Sequence, residues 1–211
     1  MNKTELIFIL DRSGSMAGLE SDTIGGFNAT ISDQKKIEGE TRVTTILFDN
    51  FFETLHDRIN LQDIKPLTDK DYFVRGSTAL YDAVALGIHK ISNVQKQTKK
   101  EGRADKVIMV ITTDGYENSS RETNAPMLNK MIDDCKQAGW EFLFLGADID
   151  AQAAAGSIGI DSHRASNYVK DSKGVKVQYE SLNYAIRAMR SGAPLPPDWK
   201  ADLDEDNKRA K

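Results

Sequence analysis

Four short apolar runs, Leu6 to Leu10, Val43 to Phe48, Val107 to Thr112 and Phe142 to Leu145, constrain the fold of this chain more than any other feature. They are rich in Ile, Val, Leu and Phe and show little polar alternation. Such runs form strands covered on both faces, as in a parallel sheet flanked by helices. The segments between them carry helical spacing instead. Ile24, Phe27 and Ile31 share one face, as do Leu80, Val84, Ile88 and Ile91, and again Leu128, Met131 and Cys135. Asn124 followed by Pro126 marks the start of that third helix, and Gly139 marks its stop. This alternation predicts an α/β fold: a Rossmann-like, doubly wound, mostly parallel central sheet with helices on both faces.

Two segments refine the prediction. Phe51 to Leu55 follows the second run too closely for a helical crossover, so it pairs as a hairpin and makes one antiparallel edge strand. Ala165 to Val169 reads as a further edge strand, and Leu182, Ile186 and Met189 mark a last helix ending near Gly192. A chain of 211 residues accommodates one such domain, placed at 1–192. The remainder, 193–211, opens with Ala193-Pro194-Leu195-Pro196-Pro197, continues with mixed charge, and reads as an extended, flexible tail. Trp199 is its exception, expected to fold back onto the domain.

A formal net charge of −4 with scattered basic residues gives no electrostatic footprint for nucleic acid. No apolar run approaches the ~20 residues that span a bilayer, and the N-terminus lacks the pattern of a signal peptide. No membrane association and a cytoplasmic location are therefore expected. Cys135 is the single cysteine, which excludes an internal disulfide; it continues a helical apolar face and reads as a buried thiol.

The chemistry-bearing residues fall in three loops that a parallel sheet delivers to one edge. Asp11-Arg12-Ser13-Gly14-Ser15-Met16 follows the first run, Arg75-Gly76-Ser77-Thr78 precedes the long second helix, and Thr113-Asp114-Gly115 follows the third run. Together they offer hard oxygens without histidine or thiolate, a donor set for Mg²⁺ or a similar cation rather than zinc. In order, residue type and placement, Asp11-x-Ser13-x-Ser15, Thr78 and Asp114 resemble the metal-ion-dependent adhesion site (MIDAS) of the von Willebrand factor A (vWA) domain family. Gly76, the helix start Ala79-Leu80-Tyr81-Asp82-Ala83 and the Thr-Asp-Gly triplet agree with that resemblance, which covers residues 4–191. It implies a stand-alone, bacterial-style member with an intact site.

By that resemblance Ser13 and Ser15 bind the ion directly, Asp11 and Asp114 act directly or through water, and Thr78 is the ligand whose engagement varies with state. Mg²⁺ is the implied ion, with Mn²⁺ or Ca²⁺ as alternatives. Hydroxyls are neutral ligands, so two aspartates only balance the charge of a divalent ion and leave it able to attract another carboxylate. The implied function is metal-bridged protein binding rather than catalysis. The partner would carry an exposed Asp or Glu, in the setting of an ATPase or other enzyme assembly. Arg12, Met16, Arg75, Tyr116, Glu117 and Asn118 flank the site and are read as a partner-binding rim, with Arg12 or Arg75 available to an acidic group. Asp49 reads as a turn-former, and Gly146 to Asp150 as a helix-capping turn.

The enzymatic rival is a Mg²⁺-dependent phosphohydrolase with Asp11 as nucleophile. Haloacid-dehalogenase-like phosphatases place DxDx[TV] after the first strand, but the second acid position is Ser13 here, which cannot serve as a general acid. The chain has no GxxxxGK[ST] loop and no GxGxxG following a strand. His56, His89 and His163 form no recognisable nucleophile–base arrangement.

Overall fold

The computed structural model describes residues 2–210. Six strands form one sheet in the order β3-β2-β1-β4-β5-β6. They are β1 (Lys3–Asp11), β2 (Glu40–Phe48), β3 (Phe52–Asn60), β4 (Lys106–Thr113), β5 (Glu141–Gly146) and β6 (Ala165–Asn167). Only β3 runs antiparallel, hairpin-paired with β2, while every other neighbouring pair is parallel. The order reverses at β1: the chain first moves outward through β2 and β3, then returns to β4 on the other side of β1. Crevices for ligands open at such a reversal, beyond the carboxyl ends of the strands.

Period-2 alternation along β1 splits the core into two layers. Leu6, Phe8 and Leu10 face α1 (Glu20–Gln34) and α5 (Ser172–Arg190), whereas Ile7 and Ile9 face α2 (Leu80–Gln97) and α3 (Ala125–Gln137). A short helix, α4 (Ala151–Ser157), joins the second layer; Asp150 caps its start by accepting from the Ala153 amide at 2.9 Å. Asn124 caps α3 in the same way through the Met127 amide, 3.0 Å away. Cys135 is buried, and burial pushes its thiol up to about 11, which keeps it protonated and unreactive near neutral pH.

The C-terminal segment departs from the sequence reading. Ala201–Arg209 is a helix, α6, rather than part of an extended tail. Its charged surface conceals two apolar anchors: Trp199 and Leu203 are both buried in the α1/α5 layer. Trp199 Nε1 donates to the His163 carbonyl at 2.8 Å, and Arg209 pairs with Asp171 at 2.9 Å. The expectation for Trp199 agrees with this arrangement; that of an extended segment does not hold over Ala201–Arg209, and Lys211 lies outside the described residues.

Helices α1 and α5 approach closely because α1 carries Gly26 at the crossing. A β-carbon at Gly26 would stand 2.0 Å from the Tyr179 ring, whereas one at Gly25 would meet nothing within 4 Å. Gly26→Ala is therefore expected to destabilise the protein by about 2 kcal/mol in spite of its better helix propensity. Gly25→Ala should stabilise it by about 0.5 kcal/mol. Urea midpoints of the two variants, moving in opposite directions from wild type, check the crossing.

Candidate metal centre

Asp11 is the last residue of β1 and Asp114 immediately follows β4, so the two carboxylates leave adjacent parallel strands at the reversal. Backbone hydrogen bonds bind the three loops into one unit. The Gly14 amide donates to the Gly76 carbonyl at 3.0 Å and the Arg75 amide to the Arg12 carbonyl at 2.8 Å. Asn118 clamps Thr78 from both sides: its amide donates to the Thr78 carbonyl at 3.0 Å, and its side-chain oxygen accepts from the Thr78 amide at 2.9 Å. Gly76 makes this join possible. Its φ is +69°, and a β-carbon there would fall 2.0 Å from the Asn50 side chain.

Within that frame the hydroxyls and carboxylates converge. Ser13 Oγ lies 3.0 Å from Ser15 Oγ, and Ser15 Oγ donates to Asp114 Oδ1 at 2.6 Å. Thr78 Oγ1 and Ser15 Oγ both border Gly115, at 3.4 and 3.8 Å from the position a β-carbon would occupy there. Asp11 lies beneath, held at both oxygens: Oδ1 accepts from the Ser13 amide at 2.7 Å and Oδ2 from Thr113 Oγ1 at 2.6 Å. The Tyr72 hydroxyl donates to the Asp11 carbonyl at 2.5 Å. Burial raises Asp11 to about 6. The hydrogen bonds from Thr113 and Ser13 oppose that rise, and the charge of Asp114 adds to it.

The donor set fits a hard divalent ion. Neighbouring ligands of an octahedral Mg²⁺, each ~2.1 Å from the ion, stand ~3.0 Å apart, and the two serine oxygens are separated by 3.0 Å. Only oxygens are offered. Among the described residues no group of three or more His, Cys, Asp or Glu side chains could hold a metal. A metal here would thus depend on hydroxyls for part of its coordination.

The expected rim looks different in three dimensions. Arg12 is wholly buried: its Nε donates to Asp49 Oδ2 at 2.9 Å, its Nη1 to Glu53 Oε2 at 2.8 Å, and its guanidinium lies 5.5 Å from the Phe73 ring. Met16 is buried too, with its sulfur 3.9 Å from the Tyr168 hydroxyl. Neither is exposed to a partner, since Arg12 is enclosed by Asp49, Glu53 and Phe73 and Met16 is packed beneath the loop. Arg75 stays half-exposed and shares Asp49 with Arg12, its Nε 2.9 Å from the same oxygen. Burial alone would raise Asp49, but the bonds from Arg75, the Phe51 amide and Arg12 hold it below the usual carboxylate range. Glu117 turns back to cap α2, accepting from the Tyr81 amide at 2.9 Å. Asn118 is exposed but occupied in the clamp, which leaves Tyr116 as the exposed apolar rim residue.

One residue at this edge is absent from the sequence reading. Lys170 follows β6, and its Nζ lies 3.0 Å from Asp114 Oδ2 and 3.4 Å from Asp148 Oδ2. Partial burial lowers the Lys170 ammonium, but the contacts with Asp114 and Asp148 outweigh that and raise it overall. The contact with Asp114 is an ion pair without hydrogen-bond alignment, and that carboxylate oxygen is otherwise unpartnered. Its place three residues beyond β6 brings it to this edge, as it does other loops at the strands' carboxyl ends.

No protein-family model matches the chain, and no curated protein sequence matches it. Solved structures do. The VWA domain of SpRpn10 aligns with a TM-score of 0.57 at 11% identity, covering 86% of this chain and 95% of that one. The chain has the vWA fold. The manganese-loaded TRAP protein of Plasmodium vivax shares it with a TM-score of 0.54 at 16% identity, over 83% of this chain and 71% of that one. Proximal thread matrix protein 1 of the mussel byssus, with a zinc-occupied MIDAS motif, gives 0.57 at 11% identity over 88% of this chain. The chain spans 46% of the length of that byssus protein. At these identities the likeness is one of fold, and the vWA fold puts Asp11, Ser13, Ser15, Thr78 and Asp114 at its strand-order reversal. Among the described residues no helix is long and apolar enough to cross a membrane.

Proposed function

We propose that this vWA-fold protein is a divalent-metal-dependent binding module. Asp11, Ser13, Ser15, Thr78 and Asp114 hold Mg²⁺ or a related ion, which receives an Asp or Glu side chain from a partner protein. The observation that carries this reading is the hydroxyl pair of Ser13 and Ser15 at ligand spacing, joined to Asp114 by the 2.6 Å bond from Ser15. The solved structures add support, since one carries zinc in its MIDAS motif and another is manganese-loaded.

When bound, the ion supplies a Lewis-acidic position for an anionic oxygen. The protein's own contribution is to orient the ligands. Thr113 and the Ser13 amide fix the Asp11 carboxylate, Asn118 fixes Thr78, and Ser15 fixes Asp114. Asp11 is poorly disposed to act as a phosphohydrolase nucleophile. It is 1% exposed, and both of its oxygens already accept hydrogen bonds. A cytoplasmic setting and a partner in an ATPase or enzyme assembly are further parts of this proposal.

Titration calorimetry with Mn²⁺ and Mg²⁺ tests the metal half. A single site in the wild type is expected, with no measurable binding when Ser13 and Ser15 are both replaced by alanine. Thr78→Ala, which keeps the backbone clamp to Asn118, should weaken metal binding about tenfold without lowering the melting temperature by more than about 2 °C. Equal affinity in wild type and the double serine variant would overturn the assignment.

A further inference from the structure

Lys170 places a fixed positive charge against the same aspartate that the serine hydroxyls engage. Asp114 is shared: Oδ1 takes the Ser15 hydroxyl at 2.6 Å, and Oδ2 faces the Lys170 ammonium at 3.0 Å. Removing like charge would favour a divalent ion at this place, so a lysine here opposes metal binding. It is nevertheless held in place. Asp148 flanks it at 3.4 Å, and the next residue, Asp171, caps α5 through the Gly174 amide at 2.7 Å and pairs with Arg209 of α6. An ammonium has three donors, and its contacts with Asp114 and Asp148 are ion pairs that leave them available to an incoming oxygen. Lys170 also lines a polar groove of about 820 Å³ that opens beside the site, together with Tyr116, Asn167 and Asn207.

We propose that Lys170 is the second anchor for the partner's carboxylate: the metal takes one oxygen, the Lys170 ammonium takes the other, and the chain flanking that acidic residue enters the adjoining groove. This rests on the metal-dependent reading above and adds to it a specificity-determining residue outside the metal ligand set. The incoming carboxylate replaces Asp114 as a partner of the ammonium, so the like charge that disfavours the bare metal becomes favourable once the ligand is in place. Lys170 thus selects for the complex with both metal and carboxylate over the complex with metal alone.

The test uses the full chain and two probes, Mn²⁺ alone and then acetate with Mn²⁺ bound. Calorimetry gives the metal affinity, and paramagnetic relaxation of ¹³C-acetate reports its approach to the bound ion. In Lys170→Gln the Mn²⁺ affinity should rise about fivefold while acetate affinity for the Mn²⁺-loaded protein falls about tenfold. Lys170→Arg, which keeps the charge, should restore acetate binding to within about threefold of wild type. A loosened structure would weaken both probes together, so a parallel fall of the two affinities overturns the proposal. Unchanged acetate binding with Mn²⁺ binding retained overturns it while leaving the metal site standing. Absence of Mn²⁺ binding in the wild type overturns both readings.

Discussion

In metal-free buffer at pH 8, Asp11→Asn should be more stable than the wild type by about 2 kcal/mol, a rise of about 5 °C for a domain of this size. The Asp11 carboxylate is buried, and burial raises it to about 6 in the folded chain from an ordinary value of 3.8. The folded state therefore holds the proton more tightly than the unfolded one. Stability that is fully present below pH 3.8 is lost as the pH climbs through about 6. Asparagine mimics the protonated form and escapes that loss, so the two proteins should converge near pH 4 and diverge above pH 6. Saturating Mg²⁺ or Mn²⁺ should invert the order. A ligand at 100 times its Kd adds about 2.7 kcal/mol to a protein that binds it, and Asp11→Asn would gain almost nothing. Melting curves with EDTA and with metal, at pH 4 and pH 8, check all four arms. A variant that melts below wild type at pH 8 in EDTA would show that Asp11 contributes to the fold rather than costing it stability.

Arg12→Ala should give the largest destabilisation of any substitution beside the site, about 3–5 kcal/mol in urea denaturation. The guanidinium is entirely enclosed and meets Asp49, itself wholly buried, at 2.9 Å and Glu53 at 2.8 Å. Its removal leaves Asp49 in the interior with the Phe51 amide and one cation, Arg75, a side chain 48% exposed to water. The effect should reach the metal as well. Arg12 lies between Asp11 and Ser13, and its amide donates to the Phe48 carbonyl at 2.8 Å while its carbonyl receives the Arg75 amide. Metal affinity is expected to fall with stability in Arg12→Ala. Arg12→Lys keeps the charge but lacks the fork needed to meet two carboxylates, so it should fall between. Arg75→Ala, which removes an exposed charge from the same aspartate, should cost far less than either.

The contrast between Arg12 and Asp11 shows which parts of the site can be read from one dimension. Asp11, Ser13 and Ser15 are legible because a strand end followed by alternate oxygens has few other uses when Thr78 and Asp114 recur at matching places. The strands are legible for a similar reason, since burial on both faces leaves little room for polar residues in Leu6 to Leu10 or Val107 to Thr112. The burial of Arg12 and Met16 is not legible, because a loop gives no period from which to infer direction. The inward turn of Arg12 is decided by Asp49 and Glu53, which arrive from the β2–β3 hairpin. Lys170 was invisible because its significance comes from Asp114, 56 positions earlier by the numbering of the chain. Helix α6 is hidden by composition: most of its residues are charged, and its hold on the domain comes from Trp199 and Leu203 together with the pairs that Asp206 and Arg209 make with Lys173 and Asp171.

The position of α6 also sets what lies beside the groove. Ala210 lines the groove beside Lys170, together with Asn207 and Lys208. A segment attached after Ala210 would therefore start beside the groove proposed above for the partner's chain. A short flexible tether keeps its cargo at millimolar effective concentration. An acidic peptide appended there would thus be presented to the site as an intramolecular ligand, and a C-terminal affinity tag would not be a neutral choice for binding work.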